Sequence, residues 1–280
     1  MIETFDVQGH RGARGLAPEN TLPAFEVALE LGVTTLELDT VISADHEVVV
    51  SHDPWFSSKM CSKPDGEPVT PEEEQEHLIY QMAYAEVARF DCGKRGHPDF
   101  PLQEPQAAVK PLLRDVIAFA ESYARQHGRP PVQYNVETKS WSEGDRRLHP
   151  APQAFVESIW NVVEETGIAG RFILQSFDVR TLQEARNRAL PIRLALLISP
   201  GFQTPKGHLR KGLEDLGFTP DIYSPDFHLV TKNVVELARY QGMLVIPWTV
   251  NDAEDMLRLR EMGVDGLITD YPDVAMRELG

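Results

Sequence analysis

Two short runs carry carboxylates at a spacing that suits a bound cation. In "LELDT", Glu37 and Asp39 stand two residues apart, and in "NVETK", Asn135, Glu137 and Lys139 follow the same period. On a strand, residues i and i+2 share a face, so these polar side chains point one way while Leu38 and Val136 point the other. Three carboxylates brought together must share protons, pair with cations or bind a metal. Pairing with Arg11 or Lys139 would merely close the structure. The addition of Glu137 to the Glu37–Asp39 pair favours a metal, and an all-oxygen ligand set suits one Mg²⁺ or Ca²⁺ rather than Zn²⁺.

Two histidines sit beside charged neighbours at comparable places. His10 precedes Arg11 in "GHRGARGLAPENTLPAF", and His52 precedes Asp53 in "VSHDP". An imidazole titrates near pH ~6.5 and suits proton transfer at neutral pH. His10 and His52 are therefore the candidate acid and base, with His10 taken as the acid. The glycines around Arg11 suggest a backbone that comes close to an anion. Glu19 and Asn20 end the same loop, and Asn20 or Thr21 is expected to cap the helix that follows. Trp248, in "PWTVN", suits either the core or an apolar wall for a substrate. His46, His77, His127, His208 and His228 read as surface or loop residues, while the loops of His97 and His149 have room to reach the site.

Eight β-rich runs must carry these residues: 4–10, 34–40, 132–138, 171–177, 192–198, 221–227, 243–249 and 264–270. They alternate strictly with helical runs at 21–31, 112–127, 151–167, 178–189, 205–216, 231–241, 252–262 and 272–279. Alternation implies a parallel sheet with helices outside, and the count of eight favours a (β/α)₈ TIM barrel. Active sites of that fold sit at the C-terminal strand ends, where the candidates fall. Gln175, Asp226, Asn251 and Asp270 stand at such ends as well. One run, 47–53, follows its predecessor too closely for a parallel crossover. It is expected to return antiparallel around Ala44–Asp45, with Ser43 near His46 and Glu37 across from His52. Residues 54–111 read as a small inserted subdomain after strand two, with a helical pattern near 79–90 and a solvated helix start in "PEEEQEH". The whole chain, 1–280, then forms one barrel domain.

The bulk numbers exclude several partners. A net charge of −16 over 280 residues argues against nucleic acid. No apolar run is long enough to span a bilayer, and "MIETFDVQGH" has no leader-like pattern, with the first strand starting near Phe5. Two cysteines, Cys61 and Cys92, make no disulfide framework, which points to a reducing, cytoplasmic setting, with room for one bridge in their shared irregular region. P-loop, G-x-G-x-x-G and G-x-S-x-G motifs are absent from the sequence.

Taken together, "GHRGARGLAPENTLPAF", "ELDTVISADHEVVVSHDP", "NVETK", "LQSFD", "PWTVN" and "GVDGLITDYP" resemble the glycerophosphodiester phosphodiesterases over nearly all of the chain outside 54–111. The resemblance implies metal-dependent hydrolysis of a small glycerophosphodiester to sn-glycerol 3-phosphate and an alcohol. It assigns His10 and His52 to acid–base work, and Glu37, Asp39 and Glu137 to the metal. Arg11 and Lys139 would contact phosphate, with Glu19, Asn20 and Trp248 completing the substrate site. "WFSSKMCSKPDGEP" and "VKPLLRDVI" depart from the family's usual runs, and leave the alcohol open. A lysophospholipase D type of activity on lipid substrates is the alternative.

Overall fold

Strand alternation divides the apolar residues into two layers. Leu36, Leu38, Val136, Leu174, Leu196 and Leu267 face outward into the main core, against the helices. Ile173, Ala195, Ile222, Ile246 and Ile268 face inward and form a smaller cluster of their own. The computed structural model describes residues 5–201 and 205–280. Thr4, the first residue of the expected opening run, lies outside them.

The elements run β1 (Asp6–Gly9), α1 (Leu22–Leu31), β2 (Thr35–Ile42), β3 (Val48–Val50), α2 (Tyr84–Val87), α3 (Leu113–His127), β4 (Gln133–Thr138), α4 (Pro152–Thr166) and β5 (Phe172–Ser176). They continue α5 (Val179–Asn187), β6 (Arg193–Ile198), α6 (Pro205–Leu216), β7 (Ile222–Pro225), α7 (Lys232–Tyr240), β8 (Leu244–Val245), α8 (Ala253–Met262), β9 (Gly266–Thr269) and α9 (Pro272–Leu279). Eight strands pair in parallel in the order β8-β7-β6-β5-β4-β2-β1-β9. Backbone bonds join the two ends: Asp265 N–H to Val245 O, Ile268 N–H to Pro247 O and Val250 N–H to Ile268 O, each 2.9 Å. This is the (β/α)₈ barrel that the alternation implied.

The barrel interior has a polar half and an apolar half. The apolar cluster comes from the β5–β9 side. On the other side Asp6 accepts from Gln8 Nε2 at 2.8 Å and Thr35 Oγ1 at 2.7 Å, and Gln8 Oε1 accepts from Asn135 Nδ2 at 2.7 Å. Asp6, Gln8, Thr35 and Asn135 thus hold one another in a buried network. The carboxylates rest on this hydrogen-bonded floor.

Three local expectations are corrected. Strand β3 does return antiparallel, but Thr40 pairs with Val50 and Ile42 with Val48. Ser43 therefore meets Glu47, not His46, and Glu37 would fall level with Asp53, not His52. The turn takes one residue more than expected: His46 N–H closes onto Ser43 O at 3.1 Å, His46 itself lies at φ +65°, and Ser43 N–H reaches Glu47 O at 3.0 Å. This is a type I turn with a left-handed bulge residue. Second, the pattern near 79–90 forms a single α-turn, α2, preceded by a 3₁₀ turn at Ile79–Gln81, because Met82 and Ala83 are extended between them. "PEEEQEH" yields only the 3₁₀ turn Glu74–Glu76. Third, Thr21 occupies the cap position of α1 without capping it; its hydroxyl donates to Pro18 O at 2.5 Å.

Residues 54–111 pack a second apolar cluster, with Phe56, Ile79, Val87 and Phe90 against Val41 and Val49 of the hairpin. Cys61 and Cys92 are disulfide-bonded within it. Lys110, at its exit, is buried, and its ammonium donates to Ser51 Oγ at 2.8 Å. Among the described residues, no helix is long and apolar enough to cross a membrane.

Candidate active site

The β2–β4 register sets Glu37 level with Asn135 and Asp39 level with Glu137. Inward-facing side chains of neighbouring parallel strands lie side by side, so the three carboxylates converge. One oxygen from each of Glu37, Asp39 and Glu137 lies within 4.8 Å of the others, and all three residues are buried. Their remaining partners hold them in place. Gln175 Nε2 donates to Glu37 Oε1 at 2.5 Å, and the Arg11 backbone N–H donates to Glu37 Oε2 at 2.9 Å. Asn20 Nδ2 donates to Asp39 Oδ2 at 2.9 Å, so Asn20 serves this carboxylate rather than the helix end. Lys139 Nζ donates to Glu137 at 2.8 Å and lies 3.6 Å from Asp39.

Burial, reinforced by Asp39, holds Glu37 well above the usual carboxylate range. Burial also raises Glu137, with Lys139 opposing and Asp39 adding to the rise. Burial alone would raise Asp39, but Arg11 and Lys139 outweigh it and hold Asp39 well below the usual range. The two cations thus hold only Asp39 below the usual range, while Glu37 and Glu137 stay raised although Lys139 donates to Glu137. A hard divalent cation fits the rest of the cluster: three buried oxygen ligands, close together, short of positive charge.

Arg11 is held by the loop between β1 and α1. Its guanidinium donates to Glu19 Oε1 at 2.7 Å and lies 3.1 Å from Asp39 Oδ2. Arg11 and Asn20 both adopt left-handed backbone, at φ +52° and +55°, and Asn20 N–H bonds Arg11 O at 2.9 Å. Non-glycine residues there store strain that the surroundings must hold. The glycines have a different task from the expected close approach to an anion. A Cβ on Gly9 would lie 2.2 Å from Gly12 O, and one on Gly12, at φ +89°, would lie 2.7 Å from the Ala24 backbone. They let the loop fold onto itself and onto α1, and so aim Arg11 inward.

His10 Nδ1 donates to Asp270 Oδ1 at 2.6 Å, which leaves Nε2 facing the carboxylates, 4.0 Å from Glu37 Oε2. Burial lowers His10 against the pull of Asp270. Burial would raise Asp270, yet His10 and Arg14 bring it down to about 2. Asn251 Nδ2 donates to the other Asp270 oxygen at 2.8 Å. His52 Nδ1 donates to Asp53 at 2.8 Å. Both histidines, Arg11, Lys139 and the three carboxylates line one cavity of about 240 Å³. Its opposite wall is apolar, from Phe177, Leu197, Trp248 and Ile268. Trp248 therefore forms part of that wall; its indole N–H donates to Ser224 O at 2.9 Å.

Eight of the ten candidates line the cavity, and the other two are direct partners of lining residues: Asn20 donates to Asp39, and Glu19 pairs with Arg11 at 2.7 Å and with Arg14 at 2.9 Å. Gln175, Asn251 and Asp270 were visible at strand ends but carried no assigned part; their roles depend on closure of the barrel. Asp226 stays outside and accepts from His228 N–H at 2.9 Å in its own turn. His97 lines a neighbouring hollow with Arg14 and Glu19. His149 is fully buried behind Trp141.

The model of the glycerophosphoryl diester phosphodiesterase family matches residues 10–274. A glycerophosphodiester phosphodiesterase of Caldanaerobacter subterraneus subsp. tengcongensis is 27% identical over 267 residues, covering 95% of this chain and 94% of that one. The lysophospholipase D GDPD1 of Mus musculus is 25% identical over 287 residues, covering 94% and 82%. Among solved structures, a Silicibacter pomeroyi protein assigned to glycerophosphoryl diester phosphodiesterases superposes with a TM-score of 0.85 at 29% identity, covering 100% of this chain and 94% of that one.

Proposed function

The chain belongs to the glycerophosphoryl diester phosphodiesterase family, and from that premise we propose that it hydrolyses glycerophosphodiesters to sn-glycerol 3-phosphate and an alcohol, with His10 and His52 as its proton-transfer pair. The observation that carries this reading is the single cavity in which both imidazoles meet Arg11, Lys139 and the carboxylate cluster. Glu37, Asp39 and Glu137 would hold one Mg²⁺ or Ca²⁺, which when bound neutralises charge on the phosphoryl oxygens. Arg11 and Lys139 add fixed positive charge beside the same oxygens, so an acidic chain can still bind a phosphodiester.

The geometry favours His10 as the base and His52 as the acid, the reverse of the first assignment. Asp270 fixes the proton of His10 on Nδ1, so Nε2 presents a lone pair to the site. It takes a proton from water or from the neighbouring glycerol hydroxyl. His52 also lines two further hollows beside the cavity, where a departing alcohol has room. Its Nε2 hands that alcohol a proton. Such help contributes ~10²–10⁴-fold to the rate.

The test is product identification by phosphorus NMR after incubation with glycerophosphocholine in the presence of Mg²⁺ or Ca²⁺. The reading requires sn-glycerol 3-phosphate and choline; phosphocholine and glycerol, or no turnover, would refute it. The mouse relative and the apolar wall at Trp248 favour a second reading, release of choline from lysophosphatidylcholine. Incubation with that lipid, run beside glycerophosphocholine, separates the two.

A further inference from the structure

A hollow of about 340 Å³ opens from the catalytic cavity on the side of His52. It shares His52, Glu137, Lys139 and Phe177 with that cavity, so whatever fills it adjoins the phosphate site. Its walls are Trp55, Trp141 and Phe177, which follow three different strands, β3, β4 and β5. Phe177 is 41% exposed, one of few large apolar side chains so open among the described residues. These rings are held in position. The Trp141 backbone N–H donates to buried His149 Nε2 at 3.1 Å, and the two rings meet edge-on at 5.3 Å. Phe177 packs edge-on to Trp248 at 5.4 Å.

Charge at the hollow favours a cation. The Asp53 carboxylate lies on its wall, its side chain 29% exposed and one oxygen, Oδ1, accepting from His52 Nδ1 at 2.8 Å. The Lys139 ammonium also lines it, but it is aimed at Glu137 and Asp39, 2.8 and 3.6 Å away. The other hollow beside His52 shares Asp53 and Trp55 with this one, but it lacks Trp141 and Phe177 and adds Arg11, Arg14, Glu19, Ser57 and Ser58. Groups that donate hydrogen bonds, such as a primary ammonium or hydroxyls, are served there. A cation with no N–H to donate is better served by aromatic faces with a carboxylate at the rim.

We propose that the hollow walled by Trp55, Trp141 and Phe177 is a subsite for a quaternary ammonium, so that choline is the favoured leaving alcohol. The proposal rests on the phosphodiesterase reading above and adds its head-group class. His52, on the shared wall, stands where the choline oxygen departs.

Two measurements test it. The first compares kcat/KM for glycerophosphocholine, glycerophosphoethanolamine and glycerophosphoglycerol in the wild-type protein and in Trp55→Leu and Trp141→Leu. Leucine keeps apolar bulk but removes the π face. The choline diester should lead the ethanolamine diester by about tenfold, and each variant should bring that ratio toward one. The second needs no turnover: tryptophan fluorescence titrated with choline and with 3,3-dimethylbutan-1-ol, its uncharged isostere. Choline should bind about tenfold more tightly. Equal turnover of the diesters, or equal binding of choline and its isostere, overturns the subsite alone. No hydrolysis of any of the three diesters overturns the phosphodiesterase reading and this inference with it.

Discussion

The two imidazoles differ in what orients them. His10 is tied to a buried carboxylate across the barrel closure, Asp270, and His52 to its half-buried neighbour Asp53. A buried orienting carboxylate fixes the tautomer of a base. Asp270→Asn should therefore lower kcat by about 10²-fold or more while leaving the fold intact. It also has a stability signature. The folded-state pKa of Asp270 is depressed to about 2, so its contribution is present above the unfolded value near 4 and is lost as pH falls toward 2. Urea denaturation should show the wild type about 2 kcal/mol more stable than Asp270→Asn at pH 7. That gap should close between pH ~4 and ~2; a gap constant down to pH 2 would mean that the carboxylate's charge contributes nothing. The division of labour between histidines is read with leaving groups. Choline needs a proton as it leaves, and p-nitrophenolate does not. His52→Ala should recover much of its activity on a p-nitrophenyl phosphodiester, and His10→Ala should not. Equal losses on both substrates in both variants would refute the pairing. Arg11 is a further residue that sequence alone described incompletely. The Gly-rich loop was legible as a place of close approach, expected to an anion, but the approach is to the loop itself and to α1, which only the folded loop shows.

At the level of elements, strand alternation was readable and register was not. The i, i+2 spacing fixes one face for Glu37 and Asp39 and one for Asn135, Glu137 and Lys139, but only the β2–β4 register sets the two side by side. The β2–β3 hairpin slipped by one because the left-handed His46 adds a residue that no pattern of apolar residues records. Likewise the long insertion has too little periodicity to reveal its fold: one helical turn, two 3₁₀ turns and a bridge replace the expected helix. The Cys61–Cys92 bridge closes a segment with a sequence separation of 31, for which loop-closure entropy gives about 3–4 kcal/mol. The double variant Cys61→Ser, Cys92→Ser should unfold at a lower temperature and be cut faster by protease within 54–111. Unchanged melting and proteolysis would show that the apolar cluster around Phe56 and Phe90 holds the insertion unaided. Because His52 adjoins this insertion and Trp55 belongs to it, its order bears directly on the site.

Across the whole molecule, charge and polarity are distributed for one purpose. The chain carries −16, yet Arg11, Arg14 and Lys139 gather at the mouth, where the carboxylates hold them. Half of the barrel interior is hydrogen-bonded and supports the carboxylate cluster; the other half is aliphatic and forms the wall facing it. The barrel itself was legible from eight alternations, whereas the pairing of His10 with Asp270, 260 residues away, needed the closed ring. The central claim is that the cluster of Glu37, Asp39 and Glu137 binds the one divalent cation that phosphodiester hydrolysis requires. Its most direct test is titration of metal-stripped protein with Mg²⁺ and with Ca²⁺, following both heat of binding and release of sn-glycerol 3-phosphate from glycerophosphocholine, beside Glu37→Gln. No release is expected before titration, with recovery as one ion binds per chain, and with weaker binding and proportionate loss in Glu37→Gln. Full release from demonstrably metal-free protein, or an unchanged affinity in Glu37→Gln, would contradict that claim.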